Sequence, residues 1–150
     1  MTRKDLHNLK HTPFDYDQID KNIFIGTNVC CQVHFKKELL KKGIKTDISL
    51  EEERLDSPFG VDYFLWLPTK DKNAPTEKQL ELGINMLTKL VDIGEKVYVH
   101  CKNGHGRGPT LVAGYYKSRG LSVKGAIAKI KKKRSTIHLE DIQVETLNNL

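Results

Sequence analysis

The sequence is poor in cysteine and has no long hydrophobic run, and both shortages exclude whole classes of protein. Its 150 residues contain three cysteines, Cys30, Cys31 and Cys101, and two of them are adjacent. A disulfide framework needs paired and separated cysteines, so we expect a protein of a reducing compartment, the cytoplasm. The sequence has no apolar run of the roughly 18 residues that a membrane span needs, and no apolar signal-peptide region. We therefore expect neither export nor stable membrane insertion.

Repeats and low-complexity tracts are absent as well, which argues against a repeat protein or a chain with long linkers. The length is that of one domain, and the 38% hydrophobic residues are typical of a globular protein. Residues 1–17 are polar and contain Pro13, so they are predicted to be an N-terminal arm. Residues 18–150 are predicted to form a single domain, and we expect a monomer.

Positive charge is in excess, because 25 lysines and arginines face 19 aspartates and glutamates, a net charge of +6. Such a chain attracts anions, which include phosphorylated substrates, nucleic acid and anionic lipid. Part of the excess lies in residues 129–134, with four lysines and Arg134. We interpret this run as the solvated face of a helix, and leave open whether it docks a partner.

Short apolar runs alternate with helical patterns along the chain. The predicted strands lie at 22–26, 44–50, 61–68 and 96–100, and the predicted helices at 34–43, 76–94, 109–119, after Ser122 and in 139–150. Thr76 and Gln79 form a capping-box pattern at the start of the longest helix. This alternation predicts an α/β fold with a central, mostly parallel sheet flanked by helices.

A glycine-rich loop joins the strand ending at His100 to the helix that Pro109 is predicted to begin. Gly104, Gly106 and Gly108 allow backbone angles at which successive N–H groups point to one centre. The N-terminus of the next helix adds partial positive charge, and Arg107 offers a planar fork for two phosphoryl oxygens. The loop is therefore predicted to bind a tetrahedral oxyanion such as phosphate.

A thiol at the start of such a loop has a chemical use. Surroundings that bind phosphate also favour the thiolate, so Cys101 is expected to be nucleophilic and to attack phosphorus in line. The leaving oxygen then needs a proton. Asp71 follows another strand at the same predicted edge of the sheet and is the candidate acid. Asp62 competes with it, but its place early in a strand favours a structural role.

The stretch "HCKNGHGR" at 100–107 resembles the His-Cys-x5-Arg signature of the protein tyrosine and dual-specificity phosphatases. The similarity extends from about Ile19 to Leu150, and the chain resembles a small member of that family. The resemblance implies that Cys101 is the nucleophile, Arg107 binds the phosphoryl group, and Asp71 is the general acid and then the base. It also implies that phosphate is bound through the backbone N–H groups of Lys102, Asn103, Gly104, His105 and Gly106. No cofactor or metal is implied, because the loop and arginine already supply positive charge.

The residue after the arginine departs from the family pattern. Relatives usually have serine or threonine there, whose hydroxyl stabilises the departing thiolate, but this chain has Gly108. Thr110, two residues on, is a candidate to replace that hydroxyl. His100 is expected to hold the loop by a hydrogen bond, with its side chain pointing away from the substrate.

The substrate is predicted to be a phosphate monoester, with phosphotyrosine and phosphoserine or phosphothreonine in proteins as the first choice. Lys102 and His105 are expected to add positive charge at the pocket mouth, which also suits phosphoinositides. RNA 5′-phosphatases share the loop signature, but Asp71 counts against them. Two further alternatives are a phosphate-binding pseudo-phosphatase and an arsenate reductase that uses Cys30 or Cys31 as its second thiol. His34 beside those cysteines is only a fragment of a metal site, and we assign none.

Overall fold

A five-stranded sheet forms the centre of the computed structural model, which describes residues 13–29 and 34–150. Its strands are β1 (Tyr16–Gln18), β2 (Ile23–Gly26), β3 (Ile44–Glu51), β4 (Tyr63–Thr69) and β5 (Lys96–His100), arranged in the order β1-β2-β5-β3-β4. Strand β1 pairs antiparallel with β2, and the other neighbouring pairs are parallel. The predicted mostly parallel sheet is confirmed.

Five described helices connect and cover the strands: α1 (Lys37–Lys41), α2 (Glu77–Asp92), α3 (Arg107–Ser118), α4 (Val123–Lys133) and α5 (Asp141–Asn148). The capping box of α2 is present, since the Gln79 amide donates to the Thr76 hydroxyl at 3.1 Å and Gln79 Oε1 accepts from the Thr76 amide at 2.9 Å. Ser122 caps α4 by accepting from the Gly125 amide at 2.9 Å. These polar signals mark helix starts because they satisfy N–H groups that have no partner within the helix.

The alternation along β5 separates two apolar layers. Val97 and Val99 belong to the larger core, in which α2 to α5 also bury apolar side chains. Tyr98 faces the smaller core, with Phe24 of β2 and Leu39 of α1. Both faces of the sheet are therefore covered, which explains why the central strand has apolar side chains on both sides.

Two boundaries differ from the sequence-based expectation. Tyr16 and Asp17, predicted within the N-terminal arm, lie in β1, because the strand pairs with β2 through the register Tyr16 to Gly26. Helix α3 begins at Arg107, before Pro109, since the Thr110 amide already donates to the Gly106 carbonyl at 2.8 Å. Proline is tolerated in this first turn because its position requires no N–H donor. Residues 1–12 lie outside the described residues, so the division into arm and domain stays a prediction.

Candidate active site

The glycine-rich loop lies at the carboxyl end of β5, between that strand and α3. The side chain of Cys101 is buried, with 3% of its surface exposed, and its Sγ accepts from the Gly104 amide at 3.3 Å. Gly104 has a φ of +70°, a conformation that side chains with a Cβ rarely adopt. The turn at this glycine brings its N–H back to the sulfur three residues earlier.

The carbonyl groups of the loop are held by donors outside it. The Lys102 carbonyl accepts from the Asn28 amide at 3.2 Å, and the His105 carbonyl accepts from the His138 amide at 2.7 Å. The carbonyls of residues 103 and 104 accept from one arginine, Arg134, at 3.0 and 2.9 Å. Because the C=O and the following N–H of a planar peptide point in opposite directions, the N–H groups of residues 103–106 face away from these donors. This is the orientation that an anion-binding loop needs.

Arg107 is fixed in the first turn of α3 by contacts from two other strand ends. Its Nη1 and Nη2 donate to the two carboxylate oxygens of Glu53 at 2.5 and 3.0 Å, and Nη1 also donates to the Thr69 carbonyl at 2.8 Å. Burial lowers the pKa of Arg107, but the hydrogen bonds that it donates to Glu53 and the nearby negative charges raise it overall. Within the described part of the chain, these bonds do not use the Nε–H and one Nη2–H of Arg107. These two N–H groups form one edge of the guanidinium, which can bind an oxyanion.

Two carboxylates stand at the rim of the loop. Asp71 Oδ1 lies 3.6 Å from Arg107 Nη2, and 60% of the Asp71 side chain is exposed. Glu53, which sequence reasoning did not identify, is closer to the arginine. Burial raises the pKa of Glu53, but hydrogen bonding and charge from Arg107 outweigh it and lower the pKa. Asp62 lies just before β4, at the amino ends of the parallel strands and so at the end of the sheet opposite to the loop. There its backbone amide donates to the Lys45 carbonyl.

His100 faces the sheet rather than the pocket mouth, and among the described residues its ring contacts Asp47 of β3 instead of making the expected hydrogen bond to the loop. Its side chain is fully buried, its ring stacks on Tyr98 with centroids 5.4 Å apart, and its Nε2 lies 2.8 Å from Asp47 Oδ1. Burial alone lowers the pKa of His100, but the charge and hydrogen bond of Asp47 raise it to about 9. The imidazole is therefore a cation at neutral pH, and the ion pair connects β5 to β3 directly behind Cys101.

The chain that carries this site is similar to known phosphatases. A family model described as "Polymorphic toxin system, DSP-PTPase phosphatase" matches residues 27–121. The chain belongs to the dual-specificity phosphatase family. Within this family, it is 39% identical over 145 residues to "Phosphatidylglycerophosphatase and protein-tyrosine phosphatase 1" of Mus musculus, covering 88% of this chain and 74% of the relative.

Two further similarities extend the comparison. "Phosphatidylglycerophosphate phosphatase PTPMT2" of Arabidopsis thaliana is 29% identical over 140 residues, which are 85% of this chain and 59% of the relative. The chain thus spans somewhat over half the length of that protein. A crystal structure of PTPMT1 in complex with PI(5)P superposes with a TM-score of 0.75 at 26% identity, covering 89% of this chain and 92% of that one.

In this dual-specificity phosphatase chain, position 108 has room for the missing hydroxyl-bearing side chain. A Cβ added to Gly108 would lie 3.8 Å from the nearest atoms, on His100 and Val99, which is ordinary van der Waals contact. Thr110, the candidate to replace that hydroxyl, does not point its own hydroxyl to Cys101. It donates instead to the Gly106 carbonyl at 2.7 Å, at the start of the same helix. Such a bond is the common use of a threonine hydroxyl inside a helix.

The basic run 129–134 is only partly the solvated face that the sequence predicted. Its lysines are exposed or nearly so, but Arg134 is 1% exposed and reaches the loop carbonyls. The composition of the run could not show that the side chain of Arg134 is buried while those of the lysines are exposed. Burial, and then the charge of Arg134, lower the pKa of His105, which disfavours the positive charge expected of this side chain at the pocket mouth.

A buried polar cluster extends from His100 to Glu51 and Asp56, whose ligand atoms lie within 4.8 Å of one another. This spacing suits a metal ion, but the oxygens already have donors. Both oxygens of Glu51 accept from Asn28 Nδ2, and those of Asp56 accept from the Val29 amide and Arg54 Nε. The expectation of no metal stays a prediction.

Other expectations fall on parts of the chain with less structural information. Cys30 and Cys31 lie outside the described residues, while Cys101 is a free thiol. His34 Nδ1 lies 3.0 Å from the Phe35 carbonyl. Of the helices in residues 13–29 and 34–150, none has the length and apolar character needed to cross a membrane.

Proposed function

We propose that this chain hydrolyses phosphate monoesters through a phosphocysteine intermediate. The observation that carries the proposal is the Gly104 amide donating to Cys101 Sγ at 3.3 Å, in a loop whose carbonyls are held from outside and which leads directly into Arg107. The bonds of Arg107 to Glu53 and Thr69 leave one edge of its guanidinium for a phosphoryl group. The phosphoryl oxygens would be bound by the amides of residues 102–106 and by that edge. These N–H donors are therefore already in place to stabilise the negative charge that develops on the phosphoryl oxygens in the transition state.

In the first step, the Cys101 thiolate attacks phosphorus, the S–P bond forms, and the bond from phosphorus to the ester oxygen breaks. Asp71 gives its proton to that oxygen, which departs as an alcohol. The exposed position of Asp71 beside Arg107 supports this role, because a leaving group must face the mouth of the pocket.

In the second step, water attacks phosphorus and gives its proton to Asp71, while the S–P bond breaks and the thiolate returns. Inorganic phosphate is the product. The leaving thiolate receives the N–H of Gly104, but no hydroxyl from residue 108. We therefore expect hydrolysis of the phosphocysteine to limit turnover.

Phosphorylated tyrosine, serine and threonine in proteins are the substrates we propose first, in accordance with the family. A phosphorylated lipid headgroup is the second candidate, and a specific feature favours it. A recess of about 180 Å³ opens beside the loop, lined by polar side chains that include Asp71, His105 and Gln143. A polyol fits such a lining, and the relatives named above act on phosphatidylglycerophosphate or bind PI(5)P according to their names.

The decisive test compares release of phosphate from para-nitrophenyl phosphate, whose leaving group needs no proton, and from a phosphotyrosine peptide, whose leaving group does, by wild type, Cys101→Ser, Asp71→Asn and Asp62→Asn. We expect the Cys101 variant to be inactive and the Asp71 variant to lose roughly 10²–10⁴-fold in rate with an ester that needs protonation. Asp62→Asn is the matched control and should retain wild-type rates. A folded wild type without turnover would instead support a phosphate-binding pseudo-phosphatase.

A substrate panel at constant salt separates the remaining alternatives. It contains phosphopeptides, phosphatidylglycerophosphate, phosphoinositides, triphosphorylated RNA and arsenate with a thiol. Faster cleavage of the lipids than of the phosphopeptides would make a phosphorylated lipid the preferred substrate. Thiol-dependent turnover of arsenate would instead identify the chain as an arsenate reductase. We propose a reducing compartment such as the cytoplasm as its location, because Cys101 must remain a free thiol.

A further inference from the structure

We propose that Arg134, at the end of α4, is a positioning residue that holds the phosphate loop in its anion-binding shape. The inference rests on the proposed function of the loop. Arg134 touches none of the reacting groups and acts through the backbone of residues 103 and 104.

The burial of Arg134 needs an explanation that helix packing does not supply. It follows the last residue of α4 and is among the largest side chains that are less than 2% exposed. Burying a guanidinium is costly unless its N–H groups find partners. Its neighbours Lys131, Lys132 and Lys133 are exposed and avoid this cost. The arginine is therefore held in the interior by what it binds.

Two nitrogens of Arg134 bind two successive loop carbonyls. Nε donates to the Gly104 carbonyl at 2.9 Å, and Nη2 donates to the Asn103 carbonyl at 3.0 Å. The peptide that follows each carbonyl then directs its N–H to the opposite side, so Arg134 orients the amides of Gly104 and His105. The Gly104 amide does reach Cys101 Sγ. A planar fork can hold two such carbonyls at once, whereas an ammonium group cannot match both directions.

The loop is confined between this guanidinium and the end of β2. A Cβ on Gly104 would lie 2.6 Å from the Gly26 carbonyl oxygen and 2.9 Å from Arg134 Nη2. No side chain fits in that space. Gly104 is thus packed closely between β2 and Arg134, and its left-handed conformation is held by the bond of its carbonyl to Arg134 as well as permitted by the lack of a side chain.

The third nitrogen of Arg134 has a separate task. Nη1 donates to Asp17 at 2.8 Å and to Asp15 at 3.1 Å, and both carboxylates are partly exposed on or beside β1. Nη1 therefore attaches the arginine to the edge strand, while Nε and Nη2 hold the loop. This division makes the positioning role separable from general stabilisation.

The experiment measures how well inorganic phosphate protects Cys101 from alkylation, with mass spectrometry of the Cys101 peptide as readout. Arg134→Lys and Arg134→Gln remove the double contact with the loop, and both should weaken the apparent phosphate affinity by at least about tenfold. Asp17→Asn removes one contact to β1 and leaves Nε and Nη2 in place, so its affinity should stay within about twofold of wild type. Lys132→Met is the matched control from the same helix end.

Thermal unfolding of each variant separates positioning from stability. We expect Arg134→Gln and Asp17→Asn both to lower the melting temperature, but only the Arg134 variants to lose phosphate affinity. Wild-type protection in either folded Arg134 variant, or an equal loss of affinity in Asp17→Asn, would overturn the proposal. Phosphate protection does not require turnover, so a catalytically inactive wild type would reject the proposed function without deciding the role of Arg134.

Discussion

Replacing Gly108 by serine should restore a hydroxyl group at the place where the family usually has one. The new Cβ would lie 3.8 Å from the carbonyl carbon of His100, the residue bonded to Cys101, so the side chain fits without displacing a neighbour. Thr110 does not already supply this donor, since its hydroxyl is bonded to the Gly106 carbonyl. A hydrogen bond to a charged group stabilises by about 1.5–3 kcal/mol, which corresponds to roughly 10- to 150-fold in the rate of phosphocysteine hydrolysis.

Rapid-mixing kinetics tests this expectation step by step. With para-nitrophenyl phosphate, the wild type should show a burst of nitrophenol followed by slow turnover, because the second step is limiting. Gly108→Ser should raise kcat and diminish the burst, with the rate of the burst phase almost unchanged. Gly108→Ala is the matched control, since it adds the Cβ without the hydroxyl. Equal rates of phosphoenzyme hydrolysis in the serine and alanine variants would refute the reasoning.

Two further predictions concern the charges around the loop. Glu53→Gln removes the carboxylate that holds the guanidinium of Arg107, so kcat/KM should fall by about tenfold. Glu52→Gln is the control and should not change kcat/KM. Unaltered kinetics in Glu53→Gln would contradict this role of the carboxylate. His100 has a pKa raised to about 9 from 6.5, so its contribution to stability is complete below about pH 6.5 and is lost as the pH rises through 9. Urea unfolding should show a decrease of up to about 3 kcal/mol over this range, and a similar decrease in Asp47→Asn would show that the ion pair is not its origin.

The central motif was predictable because all its members are local. Residues 97–107 contain the strand, the thiol, the glycines and the arginine, and together they indicate both the chemistry and a strand-loop-helix order. Asp71 was expected near this loop because the carboxyl ends of parallel strands lie at the same end of a sheet. These predictions need only periodicity and the conformational freedom of glycine. The helix caps at Thr76 and Ser122 were predictable for the same reason.

The partners of the motif could not be predicted, because they come from distant parts of the sequence. Glu53 lies 54 residues before Arg107, and Asp15 lies 119 residues before Arg134. A signal for Glu53 did exist, since the run of glutamates at 51–53 ends a strand at the edge where the loop was expected. For Arg134 there was none, as a basic run on a helix has the same composition whether or not one member turns inward.

The contact between Arg134, β1 and the loop has a consequence for the order in which the chain acquires its reactivity. During synthesis, Cys101 and every strand leave the ribosome before Arg134 does. A nascent chain can pair its strands but cannot yet hold the turn at Gly104 through Arg134, so the loop amides should not be oriented for an anion until the late helices dock. Catalytic competence would then be the last property to mature, and truncated products of aborted translation would be harmless to phosphorylated molecules around them.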